Sequence, residues 1–130
     1  MASVPEDLKY SKTHEWVRLQ DGVATVGITD HAQAELGDIT YLDLPKPGRV
    51  LEADTQFGEV ESVKAVSELF APVSGEVVEC NTEISDTTEV VNEDPYGNGW
   101  LIRVRLSNPA ELSGLMDPGD YRKYADEGGP

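Results

Sequence analysis

Twelve glycines and eight prolines cut this 130-residue chain into short runs, and that punctuation limits the folds open to it. A run bounded by turn formers every few residues is too short for a helical bundle and the right length for strands. His14–Leu19 alternates, with Trp16 and Arg18 on one side and Val17 and Leu19 on the other. Gln20-Asp21-Gly22 is a tight-turn signal, and Val23–Ile28 reads as the returning strand. Ile39–Leu44 alternates again and stops at Pro45-Lys46-Pro47-Gly48. Arg49–Leu51 restarts it, and Ala53-Asp54-Thr55 turns. Glu76–Cys80 and Trp100–Leu106 are further strands, the latter with Trp100, Ile102, Val104 and Leu106 expected on one face.

Helices are few and short. Thr29 and Asp30 are N-cap types before His31–Leu36, and Gly37 closes that segment. Pro5–Leu8 predicts one helical turn, Pro109–Met116 a helix opening after Ser107 or Asn108, and Gly119–Tyr124 a second. Asn81–Asn92 reads as irregular, Asp94–Gly99 as a loop, and Asp126–Pro130 as a frayed end. The expectation is a mainly β, compact antiparallel barrel or sandwich with small helices at its edges. One domain spans positions 1–130, with a β core from about 14 to 106 and a helical tail from about 109 to 125. A chain this long buries roughly two-thirds of its unfolded surface and needs no disulfide or metal staple.

Ten Lys and Arg face twenty-five Asp and Glu, a formal charge of −15. Such a surface repels phosphate backbones and anionic lipid, which disfavours nucleic-acid and membrane partners. Two readings of it stand: docking to partners with basic faces, or solubility alone. No stretch approaches the roughly 18 apolar residues of a membrane span. Met1–Lys9 has neither the apolar run of a secretory signal nor the arginine-rich pattern of a transit peptide. Cys80, the lone cysteine, excludes an intrachain disulfide; Val78 and Cys80 are expected on one strand face, with the thiol buried and structural. His14 and His31 lack Cys or His neighbours at ligand spacing, so no metal site is expected, and no glycine-rich phosphate loop opens a helix.

One lysine stands apart because of its frame. Within Phe57–Phe70 two short β-prone runs flank Lys64, with Gly58 before the first and Pro72, Ser74 and Gly75 after the second. That layout predicts a hairpin with Lys64 at its tip. Ser62 and Ala65 are small and Val63 is β-branched, which suits a stiff tip. A Schiff-base lysine needs burial. Lys64 instead has an acidic collar of Glu59, Glu61 and Glu68, so it reads as the substrate of a modifying enzyme rather than as a nucleophile. A strand–Pro turn–strand unit precedes the hairpin (Pro45–Gly48) and another follows it (Pro72–Gly75), the mark of an internal duplication.

Glu61-Ser62-Val63-Lys64-Ala65 resembles the lipoylation sequence of glycine cleavage H-proteins. The likeness extends through His14–Val17, Val26–Gln33, Leu36–Asp38, Leu44-Pro45, Ala71–Val77, Asn92–Gly97 and Gly99–Leu101, in order. The resemblance implies a lipoyl/biotinyl-type barrel-sandwich hybrid that is a non-catalytic carrier. It implies lipoate amide-linked to Lys64, with Glu61, Val63, Ala65 and Gly75 as recognition and hairpin frame. The implied partners are a glycine decarboxylase, a tetrahydrofolate-dependent aminomethyltransferase, a dihydrolipoamide dehydrogenase and a lipoate-attaching enzyme. The carrier would pass an aminomethyl group from the first to the second and the reduced dithiol to the third. Because family members shelter the loaded arm, a groove is expected near Thr13, His14, Glu15 and Glu68, with Glu15 facing the cationic amine. A monomer is expected, bacterial and cytoplasmic, or in the mitochondrial matrix if the chain is a processed one. Biotinyl carriers usually set Met on both sides of the lysine, and 2-oxoacid dehydrogenase lipoyl domains set Asp before it; Val63 and Ala65 depart from both. A lipoate-relay H-like protein and an unmodified acidic interaction module remain as alternatives.

Overall fold

The computed structural model describes residues 3–128. Its strands are β1 (Lys9–Tyr10), β2 (Glu15–Gln20), β3 (Val23–Ile28), β4 (Ile39–Asp43), β5 (Val50–Leu51), β6 (Gln56–Ser62), β7 (Val66–Phe70), β8 (Gly75–Cys80) and β9 (Ile102–Leu106). They form two antiparallel sheets, one ordered β1-β2-β3-β9-β8-β5 and one ordered β4-β6-β7. The expected mainly β sandwich architecture is therefore present. Val17, Val26, Ile102 and Val104 of the larger sheet meet Leu42, Phe57, Val60 and Leu69 of the smaller in a shared core. Period-two alternation produces this directly, because every second side chain faces inward.

Both proline turns carry the chain from the small sheet to the large one. Pro45–Gly48 joins β4 to β5, and Pro72 and its neighbours join β7 to β8. Gly75 makes the second crossing possible, since a Cβ there would lie 2.0 Å from the Arg105 carbonyl oxygen. The matched crossings are what a duplication on either side of the hairpin would leave.

Helix α1 (Asp30–Leu36) starts where its cap predicts, with Thr29 Oγ1 accepting from Ala32 N–H, and Gly37 ends it at φ +79°. Its C-terminal counterpart α3 (Pro118–Asp126) is capped by Asp117 and buries Tyr121. Tyr121 stacks on Tyr10 at 4.6 Å in a second cluster with Leu8 and Trp16.

Six local expectations are corrected. Pro5–Leu8 is a turn, because the Pro5 carbonyl accepts from the Tyr10 hydroxyl rather than from a helical N–H. Asn81–Asn92 is ordered, with a 3₁₀ turn at Thr82–Ser85 and helix α2 (Glu89–Glu93) that bury Ile84 and Val91. Trp100 precedes β9; its carbonyl accepts from Asn81 Nδ2, and the Trp100 ring lies under the Arg103 guanidinium. A bulge between Val77 and Glu79 separates Val78 from Cys80, which sits opposite Ile102, only half-buried, its thiol against the Pro45 carbonyl. Pro109–Gly114 is 3₁₀, uncapped by Asn108, and Met116 is drawn back into a bridge with Tyr10. The chain is still helical at Asp126, and Gly128 N–H reaches the Ala125 carbonyl; the rest of the expected frayed end, positions 129 and 130, lies outside the described residues.

Candidate functional site

The β6–β7 hairpin ends in the three residues Val63-Lys64-Ala65. Ser62 N–H donates to the Ala65 carbonyl at 2.8 Å and closes the loop. The Ser62 hydroxyl accepts from the N–H groups of Lys64 (3.3 Å) and Ala65 (3.1 Å), a side-chain turn that fixes the tip from within. Fixing from outside comes through Val63 N–H, which donates to the Asp38 carbonyl at 3.0 Å. Asn92 in turn holds that outer segment: its Oδ1 accepts from Ile39 N–H, and its Nδ2 donates to the Gly37 carbonyl and to Gln33. Asn92 and Ser62 both lie in segments that carry the family likeness, but their hydrogen-bonding roles at the tip depend on the folded chain.

Lys64 is exposed, and among the described residues it forms no ion pair. Its stem lies along Gly37, where a Cβ would come within 3.6 Å of Lys64 Cε. Glu61 flanks the tip opposite Tyr41 and Val66. Ala65 is part of the loop. Gly75 sits in the other sheet, paired with Leu51 and Leu106.

A cleft of about 450 Å³ opens beside the hairpin, lined by residues that include Thr13, His14, His31, Glu35, Leu36, Ser67 and Asp126. Leu36 and Ser67, the latter in the second cross-strand pair from the loop, bring one end of it close to the hairpin tip, while Ala125, Asp126 and Gly128 form the wall given by the C-terminal helix and its end. His14 reaches it through a left-handed backbone (φ 71°), a conformation histidine adopts more readily than most residues. Its imidazole lies 4.9 Å from that of His31, and Nδ1 is 2.7 Å from the Tyr121 hydroxyl.

Of the four residues expected around a groove, Thr13 and His14 line this cleft. Glu15 lies beneath it, 1% exposed. One of its carboxylate oxygens accepts from Ser11 (2.8 Å) and from Thr13, and the other from Phe70 N–H. Burial pushes its pKa up from 4.5 to about 7, against the pull of those hydrogen bonds. Glu68 is exposed on β7 and is not part of the lining; its neighbour Ser67 is. The acidic side chains on the cleft surface are Glu35 and Asp126, and among the described residues no Lys or Arg lines it. Neither was legible as a site residue, because their convergence depends on how α3 docks.

The family model for the glycine cleavage H-protein matches residues 8–128. A glycine cleavage system H protein of Symbiobacterium thermophilum is 52% identical over 128 residues, covering 98% of this chain and all of that one. One from Rubrobacter xylanophilus is 54% identical over 127 residues, 98% of each chain. The crystal structure of a glycine cleavage system H protein from Mycobacterium marinum superposes with a TM-score of 0.89 at 37% identity, covering 95% of this chain and 99% of that one. With its two sheets, its lysine-tipped hairpin and these full-length likenesses, this chain belongs to the glycine cleavage H-protein family.

Proposed function

We propose that this chain is the lipoyl carrier of the glycine cleavage system, with lipoate in amide linkage to Nζ of Lys64. The observation that carries the reading is an exposed, unpaired lysine on a three-residue tip anchored from both sides, within a family of glycine cleavage carriers. The local geometry fits such a group. Gly37 presents no side chain to the lysine stem, and its chain neighbour Leu36 lines the cleft. In the attachment step Lys64 Nζ attacks the acyl carbon of an activated lipoate. The activating group leaves, two protons are released from the ammonium in all, and the amide keeps one N–H.

Lipoate supplies reversible thiol–disulfide chemistry that a chain with one cysteine lacks. The protein's contribution is positional. Tethering raises the effective concentration of the carried group at each successive active site. Those sites belong to glycine decarboxylase, aminomethyltransferase and dihydrolipoamide dehydrogenase, after a lipoate-attaching enzyme has modified the lysine; Glu61, Val63 and Ala65 frame the hairpin it recognises, and Gly75 acts behind it by letting the chain cross to the other sheet. Between visits the cleft offers shelter. Its imidazoles and Leu36 suit an apolar arm, and Glu35 and Asp126 suit a cation at its end. Thr13 and His14 contribute to that wall. Glu15 acts from beneath by holding Thr13 in place, and Glu68 stands outside it.

Mass spectrometry of the chain produced in a lipoylating host tests the reading. A lipoyl increment on the peptide containing Lys64, absent from Lys64→Arg, is the expected result. An unmodified lysine after incubation with lipoate, ATP and a lipoate-attaching enzyme would overturn it, and a biotin increment would replace it with the biotinyl reading.

A further inference from the structure

The outward face of the small sheet has an arrangement that the carrier role alone does not explain. Three of the five large apolar side chains exposed among the described residues gather at this hairpin: Tyr41 (53% exposed), Val63 (68%) and Val66 (62%). Tyr41 and Val66 flank Glu61 in direct cross-strand register. Two registers further from the tip, in the next row on the same face, Asp43, Glu59 and Glu68 stand side by side across β4, β6 and β7. Like charges directly opposite one another destabilise a sheet. None of these four carboxylates enters an ion pair among the described residues. The outer face of the large sheet does the reverse, pairing Arg103 with Glu79 and Arg105 with Glu76. A face that keeps apolar groups and uncompensated charge in water is suited to a partner.

We infer that this face is the docking surface for the enzyme that attaches lipoate. The enzyme would seat Tyr41 and Val66 in an apolar depression and set basic side chains against Asp43, Glu59, Glu61 and Glu68. Reach selects this partner over the others. Enzymes that receive the finished arm can act at a distance from the backbone. The attaching enzyme must bring Lys64 Nζ itself into its active site, and therefore covers the tip and the first rows behind it. The inference rests on the carrier reading.

The experiment measures steady-state transfer of lipoate to the full-length chain by its lipoate-attaching enzyme at several salt concentrations. The paired reversal Glu59→Lys with Glu68→Lys is expected to lower kcat/KM by roughly tenfold or more, through KM, and to flatten its salt dependence. The neutral pair Glu59→Gln with Glu68→Gln is expected to do the same to a smaller extent, and it covers the case in which the reversal disturbs folding. Tyr41→Ser with Val66→Ser is expected to raise KM with the salt dependence retained. Glu52→Lys with Glu83→Lys makes the same change in net charge away from this face, and is expected to leave kcat/KM near the parent value. Parent-like kinetics and salt dependence in both Glu59/Glu68 pairs would overturn the inference, as would an equal loss in the Glu52/Glu83 pair. Failure of the unaltered chain to accept lipoate would instead sink the carrier reading.

Discussion

The Glu15 carboxylate accepts a hydrogen bond from the backbone N–H of Phe70, 3.2 Å away and 55 positions along the chain. It thereby ties the start of β2, in the large sheet, to the end of β7, in the small one. The tie places a buried carboxyl under the cleft and beside the hairpin that carries Lys64.

Its raised pKa predicts how stability responds to pH. In the unfolded chain Glu15 ionises near 4.5, and in the folded protein near 7. Between those values the native state binds the extra proton, so stability falls as pH rises. The contribution is complete below about pH 4.5 and lost as pH passes 7; the gap corresponds to roughly 3 kcal/mol. Urea unfolding from pH 5 to 8 should show this decline in the parent and a flatter profile in Glu15→Gln. Parallel profiles would assign the decline to other groups.

Asn92 is expected to act on the hairpin tip from a distance. Asn92→Ala leaves Ile39 N–H and the Gly37 carbonyl without partners, a cost of about 2 kcal/mol. Because the next residue, Asp38, holds Val63 N–H, amide exchange at Val63 should quicken in the variant beyond that in distant β2. Equal acceleration in both would mean a global loss of stability only.

Ser62→Ala separates tip order from fold stability. The freed N–H groups of Lys64 and Ala65 are exposed and can turn to water, so the stability cost should stay under about 1 kcal/mol. Hydrogen exchange at those two amides should rise while the unfolding midpoint barely moves. Slower lipoate transfer to the variant would show that the attaching enzyme uses a preformed tip.

Gly27→Ala probes the packing of Trp16. A Cβ at position 27 would lie 2.7 Å from the indole, whose Nε1 donates to the Pro95 carbonyl. The ring is fully buried, so it must shift and strain that bond, at a cost of about 2 kcal/mol. The denaturation midpoint should fall and Trp fluorescence should change. An unaltered midpoint would mean that the indole has room to move.

The reach of sequence reasoning follows from which forces are local. Lys64 could be placed at a tip because Gly58, Pro72 and the alternating runs are signals written beside it. The cap at Thr29 is local in the same way. Helix α2 was invisible because so short a helix depends on tertiary partners: Val91 in the core and Thr88 Oγ1 on the Ile39 carbonyl. The side of the sheet on which Cys80 lies depends on a bulge opposite β9, which no reading of β8 alone contains. The cleft is the extreme case, since its walls come from α1, the turn before β2, β7 and α3. Thr13 and His14 were within reach through the family likeness. Glu35 and Asp126 needed the packed chain.

The double anchoring of the tip, by Ser62 from within and by Asp38 from outside, decides where motion resides. With its backbone pinned, Lys64 is a fixed pivot, and conformational freedom starts at its side-chain torsions. The volume that an arm attached to it would sweep is then a cap of constant radius about one point, set by bond lengths rather than by loop dynamics. An enzyme acting on an arm attached there, as proposed, would have to bring its active site inside that cap, so delivery would be governed by how the two bodies dock and not by how far the carrier bends.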